Sequence, residues 1–467
     1  MNKVLSFLFL VFIINGVNGQ IDPLEKVNFY VVEDIDFSIF DNGRYEDVYN
    51  KIYDKDAFFE RYFRPWKLTQ KEEQNPLKDH EWNDFFTYTL NEDSPCYLGN
   101  YNAHSKNWEQ AIKTNFPNKT GFPQMSSYGL VVRKTNLRNK PTDDHCLKEI
   151  RDAGEGYPFD YFQHAALPIS TPLRIWTQTN DGLWVFVSSP YDKGWVKISD
   201  IGLLSKGTAK ELMAMDFQAV IKDEIPFGSS SHRVQLQIGT LLAYLPDSDS
   251  VLLPGLDSKN GKIFFDTISS TKFMQPFPVE FNAENVKHFL AELFDEKYGW
   301  GGLDGGRDCA SFLRDYFLPF GIYMPIWSKA QSKNGKVIPL ENSAKQILSE
   351  LDNQGIPFLT SVYKPGHIML YVGKNNNGTP LIYHNVWGLK GWVQNENLSQ
   401  LSYQRENYAI SGFDKTNENE VEIRYIIGRS VITEIEPAAV LDEDRHLNMY
   451  KYLEHIDKMT IHGIREE

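Results

Sequence analysis

At 467 residues the chain is too long for one ordinary core, and the usual span of about 100 to 200 residues per domain leads to an expectation of three or four. Hydrophobic residues at 41% and aromatics at 14% supply ample apolar surface for burial and exclude a disordered chain. With 48 basic against 62 acidic side chains, the net charge of −14 would repel a phosphate backbone, and no local basic patch offsets it. No nucleic-acid partner is expected.

The first residues, MNKVLSFLFLVFIINGVNGQ, give a short basic start, an apolar run from Val4 to Ile14, and then Val17-Asn18-Gly19, an ending that suits signal peptidase. Residues 1–19 therefore read as a signal peptide, with a retained anchor as the alternative. The run falls short of the roughly 20 apolar residues a spanning helix needs, and nothing comparable follows. The mature chain reads as exported, periplasmic or extracellular at the cell envelope, without stable membrane insertion. No cysteine adjoins the cleavage point, which excludes a lipid anchor there.

Residues 20–125 mix helical periodicity with loops. In YEDVYNKIYDKDAFFERYFRPWKL, Val48, Ile52 and Phe59 approximate one face, and Arg64-Pro65-Trp66 ends the pattern because proline cannot extend it. Residues 126–205 change to short alternating runs, with Asn180-Asp181-Gly182 between two of them as a hairpin signal. This region reads as a small β-barrel. A second β-rich stretch, 206–280, reads as its neighbour. At Asn282 the period shifts again: an asparagine cap precedes Val286, Phe289, Leu290, Leu293 and Phe294 at helical spacing. A second helix is predicted from Asp308 to Phe317, followed by strands in GHIMLYVGK, PLIYHNV and VEIRYIIGRSVITEI, so that residues 281–467 read as an α+β domain.

Cys96, Cys146 and Cys309 are the three cysteines, an odd number for a compartment that permits disulfides. Cys96 and Cys146 are open to two readings, a bridge or two separate buried thiols. Cys309 opens the predicted helix, where unpaired N–H groups and the helix dipole favour a thiolate and would also stabilise an oxyanion. His367 and His384 lie on the two strands of a predicted hairpin turning at Asn375-Asn376-Asn377-Gly378, neighbours within about one residue. Nucleophile, base and orienting group are thus present in one domain. The eleven histidines show no zinc spacing and no Walker loop follows the glycines near Trp300, so neither metal nor cofactor is expected.

YGWGGLDGGRDCASFLRDYFLPFGIYMP, followed by GHIMLYVG and IYHNVWG, resembles the NlpC (p-sixty) family of cell-wall cysteine peptidases. LRNKPT, GEGYPFDYFQ and NDGLWVFVSS are similar to the first of two bacterial SH3-like domains in a multidomain subgroup, and FFERYFRPW resembles its helical N-terminal segment. The resemblance implies a papain-like peptidase domain preceded by two SH3-like β-barrels and a mostly helical segment. It implies a Cys309, His367, His384 triad with Tyr298 lining the oxyanion site. It also implies hydrolysis of the γ-D-glutamyl-diamino acid bond of peptidoglycan stem peptides or murein fragments, the first SH3-like domain selecting a free amino terminus through Glu155 or Asp160. Asp308 reads as a substrate ligand or a helix cap. Ser311 reads as a further substrate ligand, although Ala310-Ser311 stands where the family usually has Ser-Gly, so that the serine hydroxyl expected to contact substrate is displaced or absent. A non-catalytic wall-binding protein and an amidase or acyltransferase of the same fold are the alternatives.

Overall fold

The computed structural model describes residues 27–41, 55–149, 155–230, 232–257, 261–340, 344–394, 404–405, 408–415, 420–435, 447–449 and 456–463. The expected signal peptide lies outside them. Among the described residues no helix is long and apolar enough to cross a membrane.

The amino-terminal segment is mostly helical after a short strand, β1 (Phe29–Tyr30). Helices span Lys55–Tyr62, Gln70–Gln74, Asp79–Phe86 and Lys106–Asn115, the last capped by Ser105. Pro65 opens a single 3-10 turn directly after the first helix. Phe85, Phe86, Ile112 and Phe116 pack on Trp176, Trp184, Phe186 and Trp195 of the next unit, which is why this segment needs no core of its own.

That unit has seven strands: β2 (Ser127–Val131), β3 (Thr135–Arg138), β4 (Gln163–Leu167), β5 (Pro172–Gln178), β6 (Trp184–Ser188), β7 (Lys193–Lys197) and β8 (Ile201–Leu204). Their spatial order is β4-β3-β7-β6-β5-β2-β8. The β5–β6 hairpin turns at the Asn-Asp-Gly step, where Gly182 takes a φ of 73° that a side chain would strain. Cys96 and Cys146 form a disulfide that ties the helical segment to this unit, reinforced by pairing of Tyr97 with Leu147.

After a helix at Lys206–Met213, the second β unit contains β9 (Asp216–Val220), β10 (Ile225–Gly228), β11 (Arg233–Leu236), β12 (Leu241–Leu245), β13 (Ser250–Leu256), β14 (Ile263–Ser269) and β15 (Met274–Pro276). Five of these form a sheet in the order β14-β13-β12-β9-β15, with β10 and β11 paired apart.

The last unit opens with the helix Ala283–Glu292, capped by the Asn282 side chain, and continues with the Cys309 helix, Cys309–Phe317. Its sheet uses β16 (Lys336–Pro339), β17 (Thr360–Lys364), β18 (His367–Lys374), β19 (Pro380–Gln394), β20 (Gln404–Arg405), β21 (Tyr408–Lys415), β22 (Glu420–Glu434), β23 (Leu447–Met449) and β24 (Lys458–Ile461). The order is β16-β24-β17-β18-β19-β22-β21-β20, with β1 and β23 joining β22 and β19. Thus β24, from the end of the described chain, lies inside the sheet, and β1, from its start, extends it. Every residue of the Cys309 helix is buried.

A buried ion network joins the units. Arg307 Nε donates to Asp315 at 2.8 Å, its Nη2 donates to Asp223 of the second β unit at 3.0 Å, and Glu296 lies 3.2 Å from Nη1. Arg314 donates to the other Asp315 oxygen at 2.8 Å and lies over the Tyr191 ring of the first β unit. Deleting one member strands the others without compensation, so Asp315→Ala is expected to cost about 3–5 kcal/mol. Urea unfolding of the whole chain reads this, and a loss below about 1 kcal/mol, the size of a surface pair, would remove the network from its organising role.

Candidate active site

The residues before Cys309 build its platform. Tyr298 donates its N–H to Gly428 of β22, and Gly299 and Arg307 close the two ends of a tight glycine loop by backbone bonds. Within the loop Gly301 and Gly302 have φ of 55° and 80°, in the left-handed region. Side chains there would also collide: a Cβ on Gly301 would lie 2.9 Å from the His164 carbonyl, and one on Gly302 would lie 2.7 Å from Ala166 Cβ. The glycines therefore let β4 of the first β unit dock directly on the loop, where Gln163 Nε2 donates to the Gly301 carbonyl at 3.0 Å.

Asp308 then starts the helix. One carboxylate oxygen accepts the N–H of Ser311 at 2.7 Å and the Ser311 hydroxyl at 2.7 Å, and the other accepts the N–H of Gly301 at 2.8 Å. The Ser311 hydroxyl in turn accepts the Asp308 N–H at 2.8 Å, completing a capping box. Asp308 and Ser311 thereby fix the helix start, with the buried Ser311 hydroxyl turned to the cap.

Cys309 is the first helical residue and is 9% exposed. Burial, with the Asp308 carboxylate, pushes its thiol pKa up to about 12, against the opposing pull of the Ile368, Ala310 and Cys309 N–H groups. Burial of the sulfur thus works against the thiolate expected at a helix start. Ile368 directly follows His367 on β18. His367 Nε2 lies 2.8 Å from His384 Nδ1, with ring centroids 5.1 Å apart. Leu370 faces Tyr383 and Tyr371 faces Ile382, a register that makes His367 and His384 diagonal neighbours on one face. Burial lowers both imidazole pKa values, that of His384 to about 3, so both rings rest neutral.

Tyr298 is buried beside Asp308 and Cys309, and both raise its hydroxyl pKa after burial itself. Phe159, from the first β unit, packs against Tyr298 at 5.9 Å, Trp300 at 5.3 Å and Trp387 at 5.8 Å. The loop holding Phe159 also carries Glu155, whose Oε1 accepts the Tyr161 hydroxyl at 2.7 Å while Oε2 has no hydrogen-bond partner among the described residues. Asp160 is corrected outright. It is fully buried, accepts the N–H groups of Cys146 and Phe162, and pairs with Arg138 at 2.9 Å, so it is sealed within the fold.

Sequence reasoning missed Phe159, Trp300, Trp387 and the Arg307-Asp315-Arg314 network. The network did leave a trace, since Arg314 and Asp315 interrupt an otherwise apolar helix. A second histidine arrangement, His462 with Ser361 at 2.8 Å, is completely buried and serves packing. Among the described residues no cluster of side chains could hold a metal ion.

Because the thiol pKa is raised, the thiolate fraction grows tenfold per pH unit below it. The rate of Cys309 alkylation by iodoacetamide is expected to keep rising past pH 9, where an ordinary thiol levels off. A plateau already reached at pH 7 would show a thiolate-imidazolium resting pair instead.

Residues 295–386 match the NlpC/P60 family and residues 146–197 match the SH3 domain (SH3b1 type). Among solved structures, an NlpC/P60 endopeptidase from Photobacterium damselae subsp. piscicida is 22% identical, with a TM-score of 0.70 over 95% of this chain and 98% of that one. An NlpC/P60 family protein from Bacillus cereus is 13% identical, with a TM-score of 0.43 over 72% of this chain and 100% of that one. NlpC2 from Trichomonas vaginalis is 12% identical, with a TM-score of 0.23 over 56% of this chain and 88% of that one. No curated protein matches the sequence.

Proposed function

We propose that this chain, which carries a cysteine peptidase domain of the NlpC/P60 family behind an SH3b domain, cuts the γ-D-glutamyl-diamino acid bond of peptidoglycan stem peptides. What supports the reading is a cysteine that opens a helix packed on β18, the strand that starts with His367, whose Nε2 lies 2.8 Å from His384 Nδ1. We read the second β unit as SH3-like too. Export to the cell envelope is supported by the Cys96–Cys146 disulfide, since such bonds persist in oxidising compartments.

The mechanism follows from tautomers. With His367 Nε2 turned to His384, Nδ1 is the nitrogen left to address the sulfur in the proposed mechanism. To act as a base there, His367 carries its proton on Nε2 and donates it to His384 Nδ1, which fixes His384 in its Nε2-protonated form. As Cys309 attacks the amide carbonyl, its proton passes to His367 and the oxyanion is received by helix-start N–H groups and the Tyr298 hydroxyl. His367 then protonates the departing amine, and water resolves the thioester. Proton transfer coupled to attack suits a pair that rests neutral. Glu155 stands on the SH3b loop that Phe159 anchors beside Tyr298, where its carboxylate suits the ammonium of a free peptide amino terminus.

The test is mass spectrometry of products from L-Ala-γ-D-Glu-diamino acid. The wild type is expected to release L-Ala-γ-D-Glu, with Cys309→Ala and His367→Ala losing at least a thousandfold in kcat/KM. Glu155→Gln is expected to raise KM about tenfold, and amino-terminal acetylation of the substrate to do the same. Cleavage at another amide would assign an amidase instead, acyl transfer without hydrolysis an acyltransferase, and binding without turnover a wall-binding protein.

A further inference from the structure

Glu155 owes its place to the residues that follow it. The Phe159 N–H donates to the Gly156 carbonyl at 2.7 Å and the Tyr161 N–H to the Cys146 carbonyl at 3.0 Å, which folds the loop onto the SH3b unit. Tyr157, two residues after Glu155, ties this loop to the rest of the molecule from both of its ends. Its backbone N–H donates to the Tyr101 hydroxyl of the amino-terminal segment at 2.9 Å. Its own hydroxyl donates to an Asp304 carboxylate oxygen at 2.5 Å, on the glycine loop that precedes Cys309. That carboxylate, ahead of burial, pushes the phenol pKa up to about 12, so the hydroxyl remains a donor at neutral pH. Asp304 has a φ of 52°, in the left-handed region that aspartate tolerates better than most side chains. Neither side chain fills a core, since Asp304 is exposed and Tyr157 is 42% exposed. A single bond between such groups contributes modestly to folding, yet it fixes the loop against the catalytic domain.

We infer that the hydrogen bond from Tyr157 to Asp304 is a specificity latch, which holds the Glu155 carboxylate at a fixed distance from the Cys309 platform and so sets the preference for peptides with a free amino terminus. Tyr157 and Asp304 are positioning residues that act through Glu155 without touching substrate, and the inference rests on the peptidase reading above. Backbone geometry supplies the reason. Only Gly156 separates Glu155 from Tyr157, and its φ of 76° marks a permissive step in the chain. A carboxylate beyond such a glycine samples many positions unless its neighbour is anchored, and substrate binding would then bear the entropy of ordering it. In the proposed mechanism the reacting atoms meet Cys309 and His367, so the latch bears on KM rather than on kcat.

Steady-state hydrolysis of L-Ala-γ-D-Glu-diamino acid and of its N-acetyl form by the full chain tests this. Tyr157→Phe is expected to raise KM for the free-amino peptide about fivefold, to keep kcat within about twofold, and to leave the N-acetyl peptide unaffected. Asp304→Asn keeps an acceptor and tolerates the same φ, so it is expected to match the wild type within about twofold. Added to Glu155→Gln, Tyr157→Phe is expected to have no further effect. Hydrogen exchange of the segment 155–161 reads the latch without substrate: at least about threefold faster in Tyr157→Phe, and unchanged in Asp304→Asn. Thermal unfolding of each variant separates this from global loss of structure. Unchanged exchange or unchanged KM in Tyr157→Phe, an equal loss on both peptides, or a further loss on top of Glu155→Gln overturns the latch. A wild type that cleaves neither peptide overturns the peptidase reading and with it this role of the latch, whereas the exchange measurement still scores the bond itself, so the two failures are distinguishable.

Discussion

The position of one helix terminus governs this structure. The start of the Cys309 helix is fixed along its axis by Asp308, which binds Ser311 ahead and Gly301 behind, and fixed sideways by the Arg307-Asp315-Arg314 network. Burying these charges carries a desolvation penalty that is offset only when every partner is present. Asp223 comes from the second β unit, and the Tyr191 ring under Arg314 comes from the first. Assembly of the domains and formation of the nucleophile's platform are consequently one event.

The same tight enclosure sets the chemistry of the sulfur. A helix start on the surface lowers a thiol's pKa, but here the sulfur has exchanged water for protein, and the Asp308 carboxylate that caps the helix also stands next to it. The cap that organises the site therefore opposes ionisation before substrate arrives. A resting thiol is also the form that oxidants attack least, since they react with the thiolate. In the proposed mechanism activation belongs to the substrate complex, where the neutral His367 would receive the proton as the new bond to sulfur forms.

Much of this was legible locally. The Asn282 and Asp308 caps, the Asn-Asp-Gly hairpin and the β18–β19 turn are set by residues within a few positions of one another, and each forms where its signal stands. The convergence of His367 and His384 was readable because hairpin register is arithmetic. What sequence hid is non-local. Asp160 and Glu155 look equivalent in a Gly- and Pro-containing loop, yet Arg138, far from both in the chain, claims only Asp160. The Cys96–Cys146 bridge closes across a separation of 50 residues, and the burial of the Cys309 sulfur depends on a strand that begins at His367. Neither is a property of its own neighbourhood.

The SH3b unit emerges as a wall of the active site rather than a tether attached to it. Its β4 backbone lies so close to Gly301 and Gly302 that no side chain fits between them, and its Phe159 ring packs on Tyr298, which borders the sulfur. A surface used only to recruit substrate would have no reason to exclude a single methyl group from the catalytic domain's loop. Close approach at this level fixes distances to a fraction of an ångström, the tolerance a positioned nucleophile requires. On the proposed reading, Glu155 inherits that precision because it stands on the loop that carries Phe159, and the spacing between the peptide amino terminus it would bind and the scissile bond would be set by the fit of two domains across two glycines.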